Sequence, residues 1–259
     1  MNRDSLNDAE LLQWFEGVVS ESVGRYPGDP TTVKYGSHPM QAMDLWGDLS
    51  SMHWVVSIHG GYFAEEYDRT VNEPLSRRLA SEGMAVANIE YRRAGSVADP
   101  RETVNDVRAA IAEVVLLAPE ESRVVVVGHS AGGYLAITGA THDGVHGVIP
   151  LAPVTDLAGI AIGGWDEGEI AKWIGKPLGD GSGIWEELQP DQIGLTRAPM
   201  VAIHGSDDSV VPVEQTREFS VSHRGIRLVE LAEVGHYEFL DPESDSIATL
   251  IFEIRQSFR

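Results

Sequence analysis

The chain has 259 residues, 42% of them hydrophobic, which suits one α/β domain with a sizeable core. It contains no cysteine, which excludes disulfides, a cysteine nucleophile and a thiolate metal site. A formal net charge of −21 argues against nucleic acid and anionic membranes as partners and reads as a solubility feature.

The chain opens on MNRDSLNDAELLQWF, which lacks the apolar core of a secretory signal, and no apolar run approaches membrane-span length. The expectation is a cytoplasmic protein. Leu6 to Val19 predicts an amphipathic helix outside the core. Thr31 to Tyr35 and Met43 to Trp46 predict paired edge strands. His53 to Ile58 predicts a strand. Val71, Leu75 and Leu79 recur at helical spacing, with Gly83 as the stop. Met84 to Ile89 is the next strand. Asp99-Pro100 predicts an N-cap with proline at the first helical position. The helix that follows places Val104, Val107, Ile111 and Val114 on one face. Arg123 to Val127 predicts a strand, followed by a helix beginning near Ser130, and Gly147 to Ile149 another strand. Met200 to Ile203 and Arg227 to Leu231 are strands, with a helix near Val213 between them. A last helix runs from about Ser244, with Ile247, Leu250, Ile251 and Ile254 facing inward.

Continuous β-branched runs alternating with helices imply an α/β fold: a mostly parallel sheet, buried on both faces, with helices on each side. Residues 151–197 break the alternation. They are rich in Gly and Trp, including Trp165, Trp173 and Trp185. This stretch predicts a cap over the C-terminal edge of the sheet, within a single domain spanning 1–259.

The chemistry gathers at that edge. Gly128-His129-Ser130-Ala131-Gly132 matches G-x-S-x-G between a strand and a helix start, the setting of a nucleophile elbow. A serine hydroxyl needs a base, and the base an orienting carboxylate, in the order Ser, acid, His. Asp207 and Asp208 follow the strand Met200 to Ile203 and compete for the acid role, with Asp241 further on. His236 follows the last strand on a loop and is the candidate base. His223 is the other histidine after the acid loop, away from the expected position. His59, His129 and His204 sit inside motifs and are expected to hold loops by hydrogen bonds. His59-Gly60-Gly61-Tyr62 ends the strand at Ile58. The Ala131 N–H, together with that of Gly61 or Tyr62, is expected to form an oxyanion hole.

These motifs resemble α/β-hydrolases of the esterase and lipase kind, most closely the kynurenine formamidase-like and small carboxylesterase group. HGGYF at 59–63, EYR at 90–92, GHSAGG at 128–133, LAPVTDL at 151–157, HGSDDSVVP at 204–212 and GHYEF at 235–239 carry the resemblance. It covers the chain from about Tyr35 onward and implies an α/β-hydrolase fold. It also implies Asp208 as the acid, four residues after the histidine of H-G-x-x-D, with Ser130 as nucleophile and His236 as base. One departure concerns substrate: the formamidase signature ends in Trp where this chain has Phe63. The segment after Asp156 departs too.

The expected activity is hydrolysis of small carboxylic esters through an acyl-enzyme, with neither metal nor organic cofactor. An aryl formamidase acting on an N-formyl aromatic amine uses the same triad. A catalytically dead fold used for binding is the reading from another class. Tyr62, Phe63, His129 and Trp165 are the candidate contacts to a small ester or amide substrate.

Overall fold

The computed structural model describes residues 3–166 and 168–259. Eight strands form one sheet: β1 (Thr31–Lys34), β2 (Ala42–Trp46), β3 (His53–Ile58), β4 (Ala85–Ile89), β5 (Arg123–His129), β6 (Val145–Leu151), β7 (Met200–Gly205) and β8 (Ile226–Leu231), in the order β1-β2-β4-β3-β5-β6-β7-β8. β1 pairs with β2, and β2 with β4, antiparallel. From β4 onward every neighbouring pair is parallel. The predicted edge pair is present, though only β1 is at the edge.

The apolar runs have a direct physical cause. Side chains along a strand point alternately to opposite faces. Trp54, Val56 and Ile58 of β3, and Val124 and Val126 of β5, enter one core cluster. Val55, Val125 and Val127 enter the other. A strand with a core on each side accepts a polar residue only where that residue finds a partner, as Ser57 of β3 does by accepting from Asn72 Nδ2 at 3.0 Å.

Helices close both faces. α3 (Arg101–Leu117) and α4 (Ala131–Gly139) cover the first, through Val104, Val107, Ile111 and Val114 of α3 and Tyr134 and Leu135 of α4. α2 (Glu73–Ser81) and α10 (Asp245–Ser257) cover the second, through Leu75, Leu79, Ile247, Leu250 and Ile254. Full burial of each such side chain contributes about 1.5–3 kcal/mol. α3 begins one residue later than the Asp99-Pro100 signal predicts. Its first turn is tight, with the Glu102 and Thr103 N–H groups donating to Asp99 O and Pro100 O, while Asp99 Oδ1 still accepts from Arg101 N at 2.9 Å.

α1 (Asp8–Arg25) is longer than the expected Leu6 to Val19. Its start is set by a capping box, in which Asn7 Oδ1 accepts from Ala9 N and Glu10 N and Glu10 accepts from Asn7 N. Only Val18 and Ser22 of it are buried, so it lies outside the core as expected. None of the described helices is long and apolar enough to cross a membrane.

The stretch 151–197 folds into four short helices: α5 (Leu157–Gly163), α6 (Glu169–Ile174), α7 (Ile184–Glu187) and α8 (Pro190–Ile193). Two of its tryptophans are buried in the main core. Trp173 Nε1 donates to Thr103 Oγ1 of α3 at 2.9 Å, and Trp185 Nε1 to Lys176 O at 3.1 Å. Both indoles thus bury apolar area without stranding an N–H. Trp165 is 41% exposed. α9 (Val213–Ser222) packs beside β7 and β8.

Leu79→Ala opens a cavity under α2 and is expected to cost about 2–5 kcal/mol, whereas Leu116→Ala, at a side chain 79% exposed, stays within about 0.5 kcal/mol. Urea midpoints at unchanged slope check both.

Candidate active site

Four loops meet at the C-terminal ends of β3, β5, β7 and β8. Ser130 stands where β5 turns into α4, with φ 58° and ψ −120°. A non-glycine residue there stores strain of order 1–3 kcal/mol, so the surroundings must hold it. Ser130 N donates to Leu151 O at 2.9 Å, and Ser130 O accepts from Gly133 N at 2.8 Å, Tyr134 N at 3.2 Å and Val154 N at 3.3 Å.

The flanking glycines answer to crowding. A Cβ on Gly128 would lie 2.0 Å from Gly132 O, and one on Gly132 would lie 2.3 Å from Ile58 O. The elbow is therefore pressed on itself and on β3. The β3 loop is pressed on it in turn: a Cβ on Gly60 would lie 2.8 Å from His129 O.

Asp208 and His236 form the charged half of the site. His236 Nδ1 donates to Asp208 Oδ2 at 2.7 Å, and Asp208 Oδ1 accepts from Val210 N at 2.9 Å and Val211 N at 2.7 Å. His204 Nε2 lies 3.2 Å from the same Oδ2. Burial opposes ionisation of Asp208, but the charge of His236 and the hydrogen bonds of both histidines hold its carboxyl well below the usual range. Burial likewise disfavours the His236 imidazolium. The charge and hydrogen bond of Asp208 outweigh it, with Asp4 and Glu238 adding to them, and the pKa is raised.

Asp207 is exposed, with Ser206 Oγ on its Oδ1. The two neighbouring aspartates are thus separated by the turn: one faces the histidine, the other the surface. Asp241 pairs with Arg3, and His223 binds Phe219 O and Asp191 at the end of α9, away from these loops.

His236 lies beside the elbow. The ring centroids of His129 and His236 are 4.6 Å apart, and His129 Nε2 donates to His236 O at 3.1 Å. Burial first, and then the charge of His236, push the His129 pKa well down, so its ring is neutral. This bond gives His129 the loop-holding role. Among the described residues His236 is hydrogen-bonded through Nδ1 to Asp208, and no bond joins its Nε2 to Ser130 Oγ. Nucleophile–base bonds are often long in free enzymes and tighten with substrate.

Ala131 opens α4 directly after Ser130, so its N–H has no acceptor within the helix. Gly61 (φ 101°), Tyr62 (φ 55°) and Phe63 (φ 60°) form three successive left-handed residues. Gly61 is obligatory, since its Cβ would meet Tyr67 Cβ at 2.4 Å. Burial pushes the Tyr62 phenol well up, and the charges of Tyr237 and Asp208 add to it.

Phe63 corrects an expectation. It is 1% exposed, stacks on Trp173 at 3.9 Å and meets Tyr134 edge-on at 5.6 Å. Its ring is core, because burial between two aromatic neighbours uses its whole surface. Trp165 covers Gly163 with its ring.

His59 holds the loop after β3 as the sequence suggested, but sequence reading missed the partners that support it. His59 Nδ1 lies 2.8 Å from Gly60 O, and Nε2 lies 3.2 Å from Glu90 Oε1. Arg93 Nη1 donates to that same oxygen at 2.5 Å, Arg69 N donates to Oε2 at 3.1 Å, and Tyr91 OH donates to His59 O at 2.7 Å. The run EYRR carried the signal: four polar side chains directly after a buried strand need partners. No group of three or more His, Asp or Glu among the described residues is arranged to hold a metal ion.

The BD-FAE family profile matches residues 47–222. The chain belongs to the BD-FAE family. Esterase LipC of Mycobacterium tuberculosis (strain ATCC 25618 / H37Rv) is 27% identical over 263 residues, covering 87% of this chain. The chain spans 65% of the length of that curated relative. Esterase B of Lactobacillus rhamnosis superposes with a TM-score of 0.72 at 23% identity, over 96% of this chain and 93% of that one. A thermophilic esterase of Thermogutta terrifontis with propionate bound gives 0.65 at 20% identity, over 90% and 94%. This BD-FAE chain has the α/β-hydrolase fold of the esterase and lipase type.

Because its folded pKa is depressed, Asp208 contributes stability that is fully present above about pH 3.9, the unfolded value, and is lost as pH falls through the folded one. Between about pH 5 and 2 the urea midpoint of the wild type is expected to fall more steeply than that of Asp208→Asn.

Proposed function

We propose that the protein is a serine hydrolase of small carboxylic esters, with Ser130 as nucleophile, His236 as general base and Asp208 as its orienting acid. The observation that carries this reading is the 2.7 Å His236 Nδ1–Asp208 Oδ2 bond beside a serine held at positive φ on a strand–helix elbow.

The chemistry follows from the arrangement. Asp208 fixes the proton of His236 on Nδ1, which leaves Nε2 free to take the Ser130 proton. Ser130 Oγ attacks the ester carbonyl, and the oxyanion is held by the Ala131 N–H with that of Gly61 or Tyr62. His236 then gives its proton to the leaving alkoxide. Water, activated by the same imidazole, releases the acyl group and restores the serine. Ester cleavage is favoured over formamide cleavage by the esterases among the similar proteins. With Phe63 in the core, Tyr62 remains the candidate substrate contact on that loop.

Ser130→Ala is expected to lower turnover of a short-chain p-nitrophenyl ester by roughly 10⁴–10⁶-fold and to abolish labelling by a fluorophosphonate probe. Unlabelled wild type with no turnover points to a binding protein. Cleavage of N-formylkynurenine without ester turnover points to a formamidase. The wild-type kcat/KM rises with pH as the His236 imidazolium loses its proton, at a pH above the ordinary histidine value. A pH–rate profile checks the sign.

A further inference from the structure

The loops bearing the acid and the base leave the sheet at Gly205 and Leu231, the last paired residues of β7 and β8. Near the sheet they are tied by Ser206 N to Leu231 O at 2.8 Å and Asp207 N to Val234 O at 3.0 Å. Further out, beyond the Asp208–His236 bond itself, the N-terminal 3₁₀ turn Arg3–Ser5 lies across both. Asp4 Oδ2 accepts from Ser209 N at 2.9 Å and Ser209 Oγ at 3.4 Å. Its Oδ1 accepts from His236 N at 2.8 Å and Tyr237 N at 3.4 Å. One carboxylate thus holds the residue after the acid and the backbone of the base.

The turn is itself anchored. Arg3 N and Nη1 both donate to Glu238 Oε1 at 3.2 Å, and Nη2 to Asp241 Oδ2 at 2.6 Å. The Arg3 guanidinium lies 4.8 Å from the Trp14 ring centroid on α1. Glu238 belongs to the 3₁₀ turn Tyr237–Leu240 that follows the base, so the clasp grips the base loop at two places.

We propose that Asp4 is a positioning residue for His236, its carboxylate fixing the base loop to the acid loop so that the imidazole stays in register with Ser130. This rests on the triad reading above. The requirement for a carboxylate is chemical. Two loops present N–H donors from opposite sides, and only a group with two acceptor oxygens and no donor satisfies both. An asparagine offers one acceptor and one donor, so one loop then faces an N–H. The carboxylate also faces the imidazole with a charge. The groups around His236 are Asp208 on the acid loop, Asp4 on the N-terminal turn, Glu238 on the following turn and His129 on the elbow, with His204 behind Asp208. Of the three acids, Asp4 alone comes from outside the segment that begins at β7.

The test uses the full chain with Asp4→Asn, Asp4→Ala and Asp4→Glu, and Ser130→Ala beside them, on a short-chain p-nitrophenyl ester. Asp4→Asn is expected to lower kcat by roughly 10–100-fold with KM within about 2-fold, since misplacement of a reacting group is read in turnover. The acid limb of kcat/KM moves to lower pH, because a negative charge near the imidazolium is removed. Asp4→Glu recovers part of the rate. An unchanged kcat and an unmoved limb in Asp4→Asn, while Ser130→Ala is inactive, overturns the role of Asp4 and leaves the triad standing. A lowered melting temperature with an unmoved limb assigns Asp4 to stability alone and also overturns it. Full turnover in Ser130→Ala overturns both. If Asp4→Ala fails to fold, the isosteric Asp4→Asn carries the result.

Discussion

Three backbone segments meet around Ser130 with no space for a side chain between them. Gly128 lies one residue before the end of β5, Gly132 is the second residue of α4, and the β3 loop passes at Gly60. This contact is possible because β3 and β5 are direct parallel neighbours, with Ile58 opposite Gly128. Parallel register brings both strands to the same edge at the same level. The serine and the backbone amides expected to face its oxyanion then arrive together without a long loop. The strained Ser130 conformation follows from the same crowding, and the hydrogen bonds to Leu151, Gly133, Tyr134 and Val154 hold it.

The charged partners reach the site differently. β7 and β8 are also parallel neighbours at the other end of the sheet, and each lends a loop. Asp208 collects two backbone N–H groups and two histidines, which is why its carboxyl remains ionised in a buried place. His129, its pKa pushed well down by burial, lies beside His236 as a neutral ring. Beneath the loop after β3, Glu90 plays a comparable part, gathering His59, Arg69 and Arg93. Burial raises its carboxyl, yet His59 and Arg93 bring it below its ordinary value.

Aromatic residues show where local reading stops. The density of tryptophan in 151–197 predicts a cap, and the stretch does fold into short helices. A tryptophan in sequence, however, carries the same apolar signal whether it faces a ligand or the core. Trp173 and Trp185 are buried by contacts with Phe63, Thr103 and Lys176, partners that lie 110, 70 and 9 residues away in the chain. Phe63 follows Gly60 and Gly61 and so reads as a substrate contact; its stack on Trp173 was decided by packing against Tyr134 of α4 and Trp173 of α6.

The strands, the parallel order of the central sheet and the elbow were legible in the sequence by itself, because each rests on local chemistry. Two-sided burial favours apolar, β-branched runs, and a turn without room for a Cβ demands glycine. The order of Ser130, the acid pair and His236 was legible too, since strand ends place their loops at one edge. Which of Asp207 and Asp208 faces the histidine could be inferred from resemblance, and the turn after β7 decided it by burying one and exposing the other. The clasp of Asp4 across both loops had no local signal at all. Its partners lie 205 and 232 residues away, and a short polar segment near the N-terminus looks the same whether it floats in solvent or binds. Only the tertiary structure brings that carboxylate to Ser209 and His236, because hydrogen-bond donors in loops are oriented by the fold and not by the residues beside them.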